Sequence, residues 1–262
     1  MFIIGERING MFKNVKKAVK AKDPEPIKKL AKDQIAAGAN ALDVNVGPAS
    51  SDVLGAMLWL LDCIEDVTDA PVAIDVAKWD VVKKVVPKVK NPVIINSTKA
   101  DPEAVADYAK LAVDNNASLV ALTIDQTGVP NDTDGRIAMA ATILEKAAEA
   151  GLAPDKLYID PIILPVNVAP KQPQNVLGAL QQLQILSDPP PHLLLGLSNV
   201  SQNCDRRELI NRTYLAMAIG AGLDAAIMDP FDRELMETAI TAELLLEKMI
   251  YCDSFIEAYI SR

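Results

Sequence analysis

Short, uninterrupted runs of apolar residues recur along the chain, separated by longer amphipathic stretches. Runs of this length are typical of strands buried on both faces of a parallel sheet. The eight runs cover residues 2–4, 41–46, 72–76, 93–95, 119–124, 157–159, 193–197 and 225–228. Successive runs begin 21 to 39 residues apart, so each interval has room for one helix and two loops.

The intervals carry helix start and stop signals. Asp23 and Asp101 each precede a proline, which places a capping carboxylate ahead of a proline at the first helical position. Apolar residues at helical spacing follow both prolines. Further helices are predicted over residues 138–150, 176–186, 209–221 and 235–249, and glycines close three of the helical stretches, at Gly38, Gly151 and Gly222.

Eight strand–helix units in 262 residues predict a (β/α)8 barrel, an α/β fold, as a single domain over residues 1–262. We expect the tail from Tyr251 to Arg262 to pack as a last, short helix. The rival fold is an open doubly wound sheet. It is disfavoured because the first strand is followed by Glu6-Arg7-Ile8-Asn9 rather than by a Gly-x-Gly-x-x-Gly turn.

Composition excludes several classes of function. The formal net charge is −9, which argues against binding to nucleic acid backbones. The longest candidate segment, residues 213–223, has eleven residues, too few to cross a membrane. No secretory leader pattern opens the chain and only three cysteines are present, so we expect a cytoplasmic protein without a disulfide framework.

The chain has one histidine, His192, and this limits the available chemistry. Ser-His-Asp, Cys-His and multi-histidine metal sites cannot be assembled within one chain. His192 lies between three prolines and three leucines, where a barrel strand begins. We therefore expect it to be a strand-entry residue without a chemical role, since catalytic residues lie at the other ends of barrel strands.

Polar residues follow the apolar runs, at the strand ends that form the ligand-binding face of a barrel. Carboxylates and amides predominate there: Glu6, Asn9, Asp43, Asn45, Asp75, Asn96, Asp125, Asp160, Asn199 and Asp229. A carboxylate can accept both the ring N–H and the exocyclic amine of a pterin or guanine edge. Two alternatives stay open: Mg²⁺ or Ca²⁺ held by Asp43, Asp75 and Asp160, and a Schiff-base lysine at Lys78 or Lys99.

Four segments resemble the pterin-binding barrel superfamily. They are Gly5-Glu6-Arg7-Ile8-Asn9, the stretch Ala-Leu-Asp-Val-Asn-Val-Gly at 41–47, Ile-Asn-Ser-Thr at 95–98, and Leu-Ser-Asn-Val-Ser-Gln-Asn at 197–203. More narrowly, the whole chain, with its closing Tyr-Cys-Asp-Ser-Phe at 251–255, is similar to methyltetrahydrofolate:corrinoid/iron–sulfur protein methyltransferases of the acetyl-CoA pathway. That resemblance implies a dihydropteroate-synthase-like barrel that transfers the methyl group of 5-methyltetrahydrofolate to Co(I).

The resemblance also implies roles for individual residues. Asp75, Asn96 and Asp160 would hold the pterin, and Asn199 would lie beside the methylated ring nitrogen as the catalytic residue. The remaining implied pocket residues are Gln202, Arg207, Asp43, Gly196 and Ser198. No metal site and no tightly bound cofactor are implied.

The partners implied are methyltetrahydrofolate, a separate corrinoid/iron–sulfur protein and a second copy of the chain in a homodimer, without nucleic acid or membrane. His192 lies in no Asp-x-His-x-x-Gly motif, so the corrinoid would come from outside the chain. The alternatives are a dihydropteroate-synthase-like condensation, a non-catalytic folate-binding protein and a metal-dependent aldolase.

Overall fold

The computed structural model describes residues 1–248, and eight parallel strands close into a barrel in chain order. The predicted (β/α)8 barrel is therefore confirmed, and the open sheet is wrong. The strands are β1 Phe2–Asn9, β2 Ala41–Asn45, β3 Val72–Asp75, β4 Val93–Lys99, β5 Ser118–Leu122, β6 Leu157–Asp160, β7 His192–Gly196 and β8 Ala225–Met228.

Nine α-helices surround the barrel within residues 1–248. They are α1 Lys13–Ala21, α2 Glu25–Ala36, α3 Val53–Glu65, α4 Trp79–Val85, α5 Pro102–Asp114, α6 Thr133–Glu149, α7 Gln172–Leu183, α8 Arg207–Gly220 and α9 Arg233–Leu245. The expectation of strict alternation with eight helices was wrong, because β1 is followed by two helices. α1 buries only Val15, Ala18 and Val19 among exposed lysines, too few apolar positions to stand out in the sequence.

The helix signals hold in part. Asp101 caps α5 as predicted, since its Oδ1 accepts a hydrogen bond from the Ala104 backbone N–H at 3.0 Å. At α2 the N-cap residue is Pro24 itself, and Asp23 instead accepts from the Glu25 N–H at 3.2 Å. The first helical residue there is therefore one position later than the sequence predicted.

The barrel interior is filled at its lower end by one side chain from each strand. These are Ile4, Ala41, Ala73, Ile94, Val120, Tyr158, Leu194 and Ala225. This apolar layer closes the base, so a ligand can enter only from the opposite end, where the strands finish in polar residues.

His192 begins β7 at the base of the barrel, as expected of a strand-entry residue. Its Nδ1 lies 2.7 Å from Asp224 Oδ2, and its ring stacks on Tyr158 at 4.8 Å. The tail predicted to form a last helix, 251–262, lies outside the described residues. None of the helices in the described part is long and apolar enough to span a bilayer.

Candidate active site

Two neighbouring cavities open at the carboxyl ends of the strands. The first, about 440 Å³, lies between the ends of β3 and β4 and the start of α5, and includes Asp75 and Asn96. The second, about 840 Å³, lies among the ends of β1, β7 and β8 and the start of α8, and includes Ser198, Asn199, Gln202 and Arg207. Six of the nine predicted site residues therefore line one or the other cavity. Asp43, Asp160 and Gly196 line neither, although each lies on a strand of the barrel, in β2, β6 and β7.

Carboxylates and amides alternate across the ends of β2, β3 and β4. The strand register places Asp75 beside both Asn45 and Asn96. Asn96 Nδ2 donates to Asp43 Oδ1 at 3.0 Å, and Asn45 Nδ2 donates to Asp75 Oδ2. Each carboxylate thus keeps one oxygen engaged by an amide while its second oxygen is free of side-chain partners within the described chain.

Burial makes these carboxylates reluctant to ionise. The pKa of Asp43 is raised well above its usual value, chiefly by burial and then by the charge of Asp75. Burial also raises the pKa of Asp75, although the hydrogen bond from Asn45 opposes this. Such groups gain most from a ligand that brings N–H donors, because the donors stabilise the charge that burial disfavours.

Asp160, at the end of β6, is buried with 7 % of its surface exposed. Its Oδ1 accepts from the Ile162 N–H at 2.7 Å and its Oδ2 lies 3.4 Å from the Gly196 N–H. Burial raises the pKa of Asp160 from 3.8 to about 6, and the two backbone donors and Arg136 oppose the rise. At neutral pH the group is therefore an ionised acceptor in an apolar setting.

The chain after β7 forms a 3₁₀ turn, Leu197–Ser201, which carries Ser198 and Asn199. Gly196 precedes it, and a Cβ at this position would lie 3.0 Å from the Asn199 amide nitrogen, so the glycine leaves room for that side chain. Arg207 fixes the turn, since its Nε donates to Ser201 Oγ at 3.1 Å and its Nη2 to the Ser198 carbonyl at 3.2 Å.

Sequence reasoning placed Glu6 and Asp229 on the rim but gave them no role. Glu6 Oε1 accepts from Ser198 Oγ at 2.8 Å, which ties β1 to the turn that carries Asn199. Burial raises the pKa of Glu6. Arg7 Nη1 pairs with Asp229 Oδ2 at 2.9 Å. The sequence signal that could have identified Glu6 is its charge, two positions after the first apolar run.

The two other site chemistries find little support. Within residues 1–248, no group of three or more histidine, cysteine, aspartate or glutamate side chains is arranged to hold a metal ion. Lys78 and Lys99 are both exposed, so neither is desolvated as a Schiff-base lysine would be.

A closed barrel whose strand ends present buried carboxylates and amides suits a flat heterocycle rich in N–H donors. The model of the pterin binding enzyme family matches residues 6–229, and the chain belongs to that family. The pterin-binding expectation is therefore confirmed at the level of the family.

Sequence comparison finds relatives that include a methylcorrinoid:tetrahydrofolate methyltransferase and a methionine synthase. The methylcorrinoid:tetrahydrofolate methyltransferase of Eubacterium limosum is 29% identical over 261 residues, covering 99% of this chain and 96% of that protein. The methionine synthase of Mycobacterium leprae is 26% identical over 242 residues, covering 87% of this chain, which spans 20% of that larger protein.

Solved structures confirm the fold. The dihydropteroate synthase of Coxiella burnetii superposes with a TM-score of 0.69 at 15% identity, over 95% of this chain and 94% of that one. The enzyme from Thermus thermophilus gives 0.68 at 18% identity, over 93% of this chain and 94% of that one. At such identities the likeness concerns the barrel alone.

Proposed function

We propose that this protein transfers the methyl group of 5-methyltetrahydrofolate to the Co(I) of a corrinoid. The observation that supports the proposal is the rim of the barrel, where the carboxylates Asp75 and Asp160 end β3 and β6 and the Asn199 amide lies in the turn after β7. The full-length likeness to a methylcorrinoid:tetrahydrofolate methyltransferase supports the same chemistry. That relative's name describes the step in the opposite direction, which uses the same bonds.

The pterin would be held by its 2-amino-4-oxo edge. Asp160 accepts two parallel N–H bonds from such an edge, which a single ionised carboxylate can do in bidentate fashion. Asp75 and Asn96 would read the neighbouring positions, because the amide both donates and accepts. Asp43, Gly196 and Ser198 would complete the wall around the ring.

Asn199 would act where charge develops. When the methyl group leaves, the C–N bond breaks, its electron pair stays on the ring nitrogen, and a Co–C bond forms from the electron pair of Co(I). A tertiary amine is a poor leaving group, so a hydrogen bond that strengthens as the nitrogen gains electron density lowers the barrier. The Asn199 amide can donate to that nitrogen or accept from its protonated form, with Gln202 and Arg207 beside it.

A single side chain tests this role. Asn199→Ala is expected to lower the rate of methyl transfer to free Co(I) cobalamin by roughly one to three decades, the order of magnitude expected when one hydrogen-bond donor to a developing charge is removed. Stopped-flow absorbance at the cobalt bands measures the rate, and calorimetry checks that methyltetrahydrofolate still binds. Asn115→Ala is the matched control, since that amide bonds the Leu111 carbonyl at the end of α5. An unchanged rate in Asn199→Ala removes the residue from the mechanism.

The same assay separates the alternative functions. A dihydropteroate-synthase-like condensation forms no tetrahydrofolate from methyltetrahydrofolate, and a folate-binding protein binds without turnover. Release of pyrophosphate calls for free cations at the later strands. The turn after β7 holds Ser198 and Asn199 and no lysine, and the neighbouring Arg207 is bonded to Ser201 and the Ser198 carbonyl.

We further propose a corrinoid/iron–sulfur protein as the carrier that brings cobalt to the mouth, a homodimer, and a cytoplasmic location. The absence of a corrinoid-binding histidine motif in this chain supports an external carrier. Comparing free cobalamin with a purified corrinoid/iron–sulfur protein as acceptor tests the carrier: a kcat/KM no higher for the carrier protein contradicts it.

A further inference from the structure

The largest fully buried side chain within residues 1–248 belongs to Arg136, on the first turn of α6, with 0 % of its surface exposed. A guanidinium removed from water must be matched by acceptors. In the described part of the chain it forms no ion pair with a carboxylate, and its N–H groups donate instead to four backbone carbonyls and one amide oxygen. A guanidinium bonded in this way holds the backbone carbonyls around it in fixed positions.

The carbonyls belong to the loops that follow β5 and β6. Nη1 donates to Pro130 O and Asp132 O, both at 2.8 Å, and Nε donates to Pro161 O at 2.7 Å. Nη2 reaches Ile162 O at 3.4 Å and the Gln172 side-chain oxygen at the start of α7. Arg136 therefore joins the loop after β5, the loop after β6 and the beginning of α7.

One of these contacts points at the site. The Pro161 carbonyl held by Arg136 and the Ile162 N–H belong to the same peptide group, whose oxygen and hydrogen point in opposite directions. That N–H donates to Asp160 Oδ1 at 2.7 Å. Arg136 and the Asp160 carboxylate thus sit on the two ends of one peptide dipole, and fixing the carbonyl fixes the direction of the N–H.

The backbone at this point needs to be held. Ile162 has φ of +56°, in the left-handed region that a β-branched residue occupies at a cost in free energy. In this conformation the Ile162 N–H turns back to the preceding aspartate, while its carbonyl faces Arg136. The side chain of Arg136 supplies the contacts on both carbonyls that keep the peptide in this orientation.

We propose that Arg136 is a positioning residue, which orients the Asp160 carboxylate for the pterin through the peptide between Pro161 and Ile162. The inference rests on the proposed function, because it concerns the same pocket. Arg136 does not touch the ligand; it acts through Asp160. Within residues 1–248, the charged and titratable side chains that influence Asp160 are Arg136 from α6 and Tyr214 from α8. The Tyr214 hydroxyl donates to Pro173 O at 3.0 Å.

The test is the affinity for 5-methyltetrahydrofolate by calorimetry across pH. Arg136→Lys keeps the charge but loses the planar fork, and we expect the Kd to rise about tenfold or more, the effect of losing a charge-assisted hydrogen bond. The wild-type affinity should fall as pH is lowered through the pKa of Asp160. In Arg136→Lys that midpoint should move to higher pH, since the N–H that favours the ionised carboxylate is no longer aimed.

A double-mutant cycle separates the proposal from a purely structural role. If Arg136 acts through the Asp160 carboxylate, Arg136→Lys should weaken binding less than about twofold in an Asp160→Asn background. If its role is purely structural, the loss should be as large in that background as in the wild type. Asn91→Ala is the matched control: Asn91 is a buried amide that donates to Thr68 O and Ala70 O, both at 2.9 Å, at the base of the barrel. It should leave the Kd and the midpoint unchanged.

Folding failure of Arg136→Lys does not end the experiment. A second variant combines Arg136→Lys with Ile162→Gly, which relieves the left-handed strain because glycine adopts this φ freely. If Arg136→Lys folds, the double variant should bind methyltetrahydrofolate more tightly than Arg136→Lys alone. If Arg136→Lys does not fold, the double variant should fold and show the midpoint of affinity moved to higher pH than in the wild type. An unmoved midpoint, or an equal loss in the Asp160→Asn background, overturns the inference. Wild-type protein that binds no methyltetrahydrofolate instead overturns the proposed function.

Discussion

Replacing the buried carboxylate at the end of β6 should stabilise the protein and weaken its ligand affinity. Burial raises the pKa of Asp160 to about 6 in the folded chain, from 3.8 in the unfolded chain. The difference corresponds to about 3 kcal/mol, at 1.36 kcal/mol for each pKa unit. Because the folded carboxyl holds its proton more tightly, the free energy of unfolding falls as pH rises from about 4 through 6 and stays lower above it.

Asp160→Asn stays neutral and so avoids this loss. Its NH₂ group replaces one acceptor oxygen, which leaves a backbone donor such as the Gly196 N–H unpaired at a cost of about 1 kcal/mol. The expected net gain at pH 8 is therefore about 2 kcal/mol, and it should shrink below about 1 kcal/mol at pH 5, where ionisation of Asp160 in the folded chain is mostly suppressed.

Urea unfolding followed by circular dichroism at the two pH values measures this gain. Asp69→Asn, an exposed carboxylate, is the control and should change stability by less than about 0.5 kcal/mol. Calorimetry on Asp160→Asn should show methyltetrahydrofolate affinity reduced by at least about tenfold, because the amide cannot accept both N–H groups of the pterin. A gain that is equal at both pH values, or a loss of stability at pH 8, would refute the assignment of the raised pKa to burial of Asp160.

Three further outcomes are expected. Glu6→Gln should remove one ionisation from the pH profile of methyl transfer to free cobalamin, since burial raises the pKa of Glu6; an identical profile contradicts this. Asp224→Asn should destabilise the protein more at pH 5.5 than at pH 9, because the hydrogen bond to Asp224 raises the pKa of His192. The stabilisation from this bond is complete below about pH 6.5 and is lost as pH rises through the pKa of His192 in the folded chain. Equal losses at the two pH values in urea unfolding argue against this reasoning. Gly10→Ala should lower the thermal midpoint, since a Cβ there would lie 1.9 Å from the Val46 carbonyl oxygen; an unchanged midpoint shows that the joint between β1 and β2 can widen.

The barrel was predictable because its strands are apolar on both faces, and such runs stand out from amphipathic helices. The strand ends were less so. The structure extends β1 to Asn9 and β4 to Lys99, beyond the apolar runs, because polar residues continue the backbone pairing with the neighbouring strands. Hydrophobicity alone marks where a strand is buried and misses where its hydrogen bonding ends.

Some residues of the candidate site could also be predicted from the sequence, and others could not. Residues directly after the apolar runs, such as Asp75 and Asp160, were visible because strand ends converge in any parallel barrel. Arg136 was not visible, since it lies on a helix in a polar stretch, and its burial depends on the path of two loops. The pairing of Glu6 with Ser198 joins residues 192 positions apart, and only closure of the barrel between β8 and β1 brings them together.

The acceptors of the mouth come from β2, β3, β4 and β6, so the ligand would span half the circumference of the barrel. A molecule bound in this way would link these strands at the rim, and it should oppose their separation during unfolding. At a concentration 100 times its dissociation constant, it would add about 2.7 kcal/mol to the free energy of unfolding. Occupancy of the site would thereby protect the enzyme during turnover, when its supply of folate is high, and leave the idle form the more readily degraded.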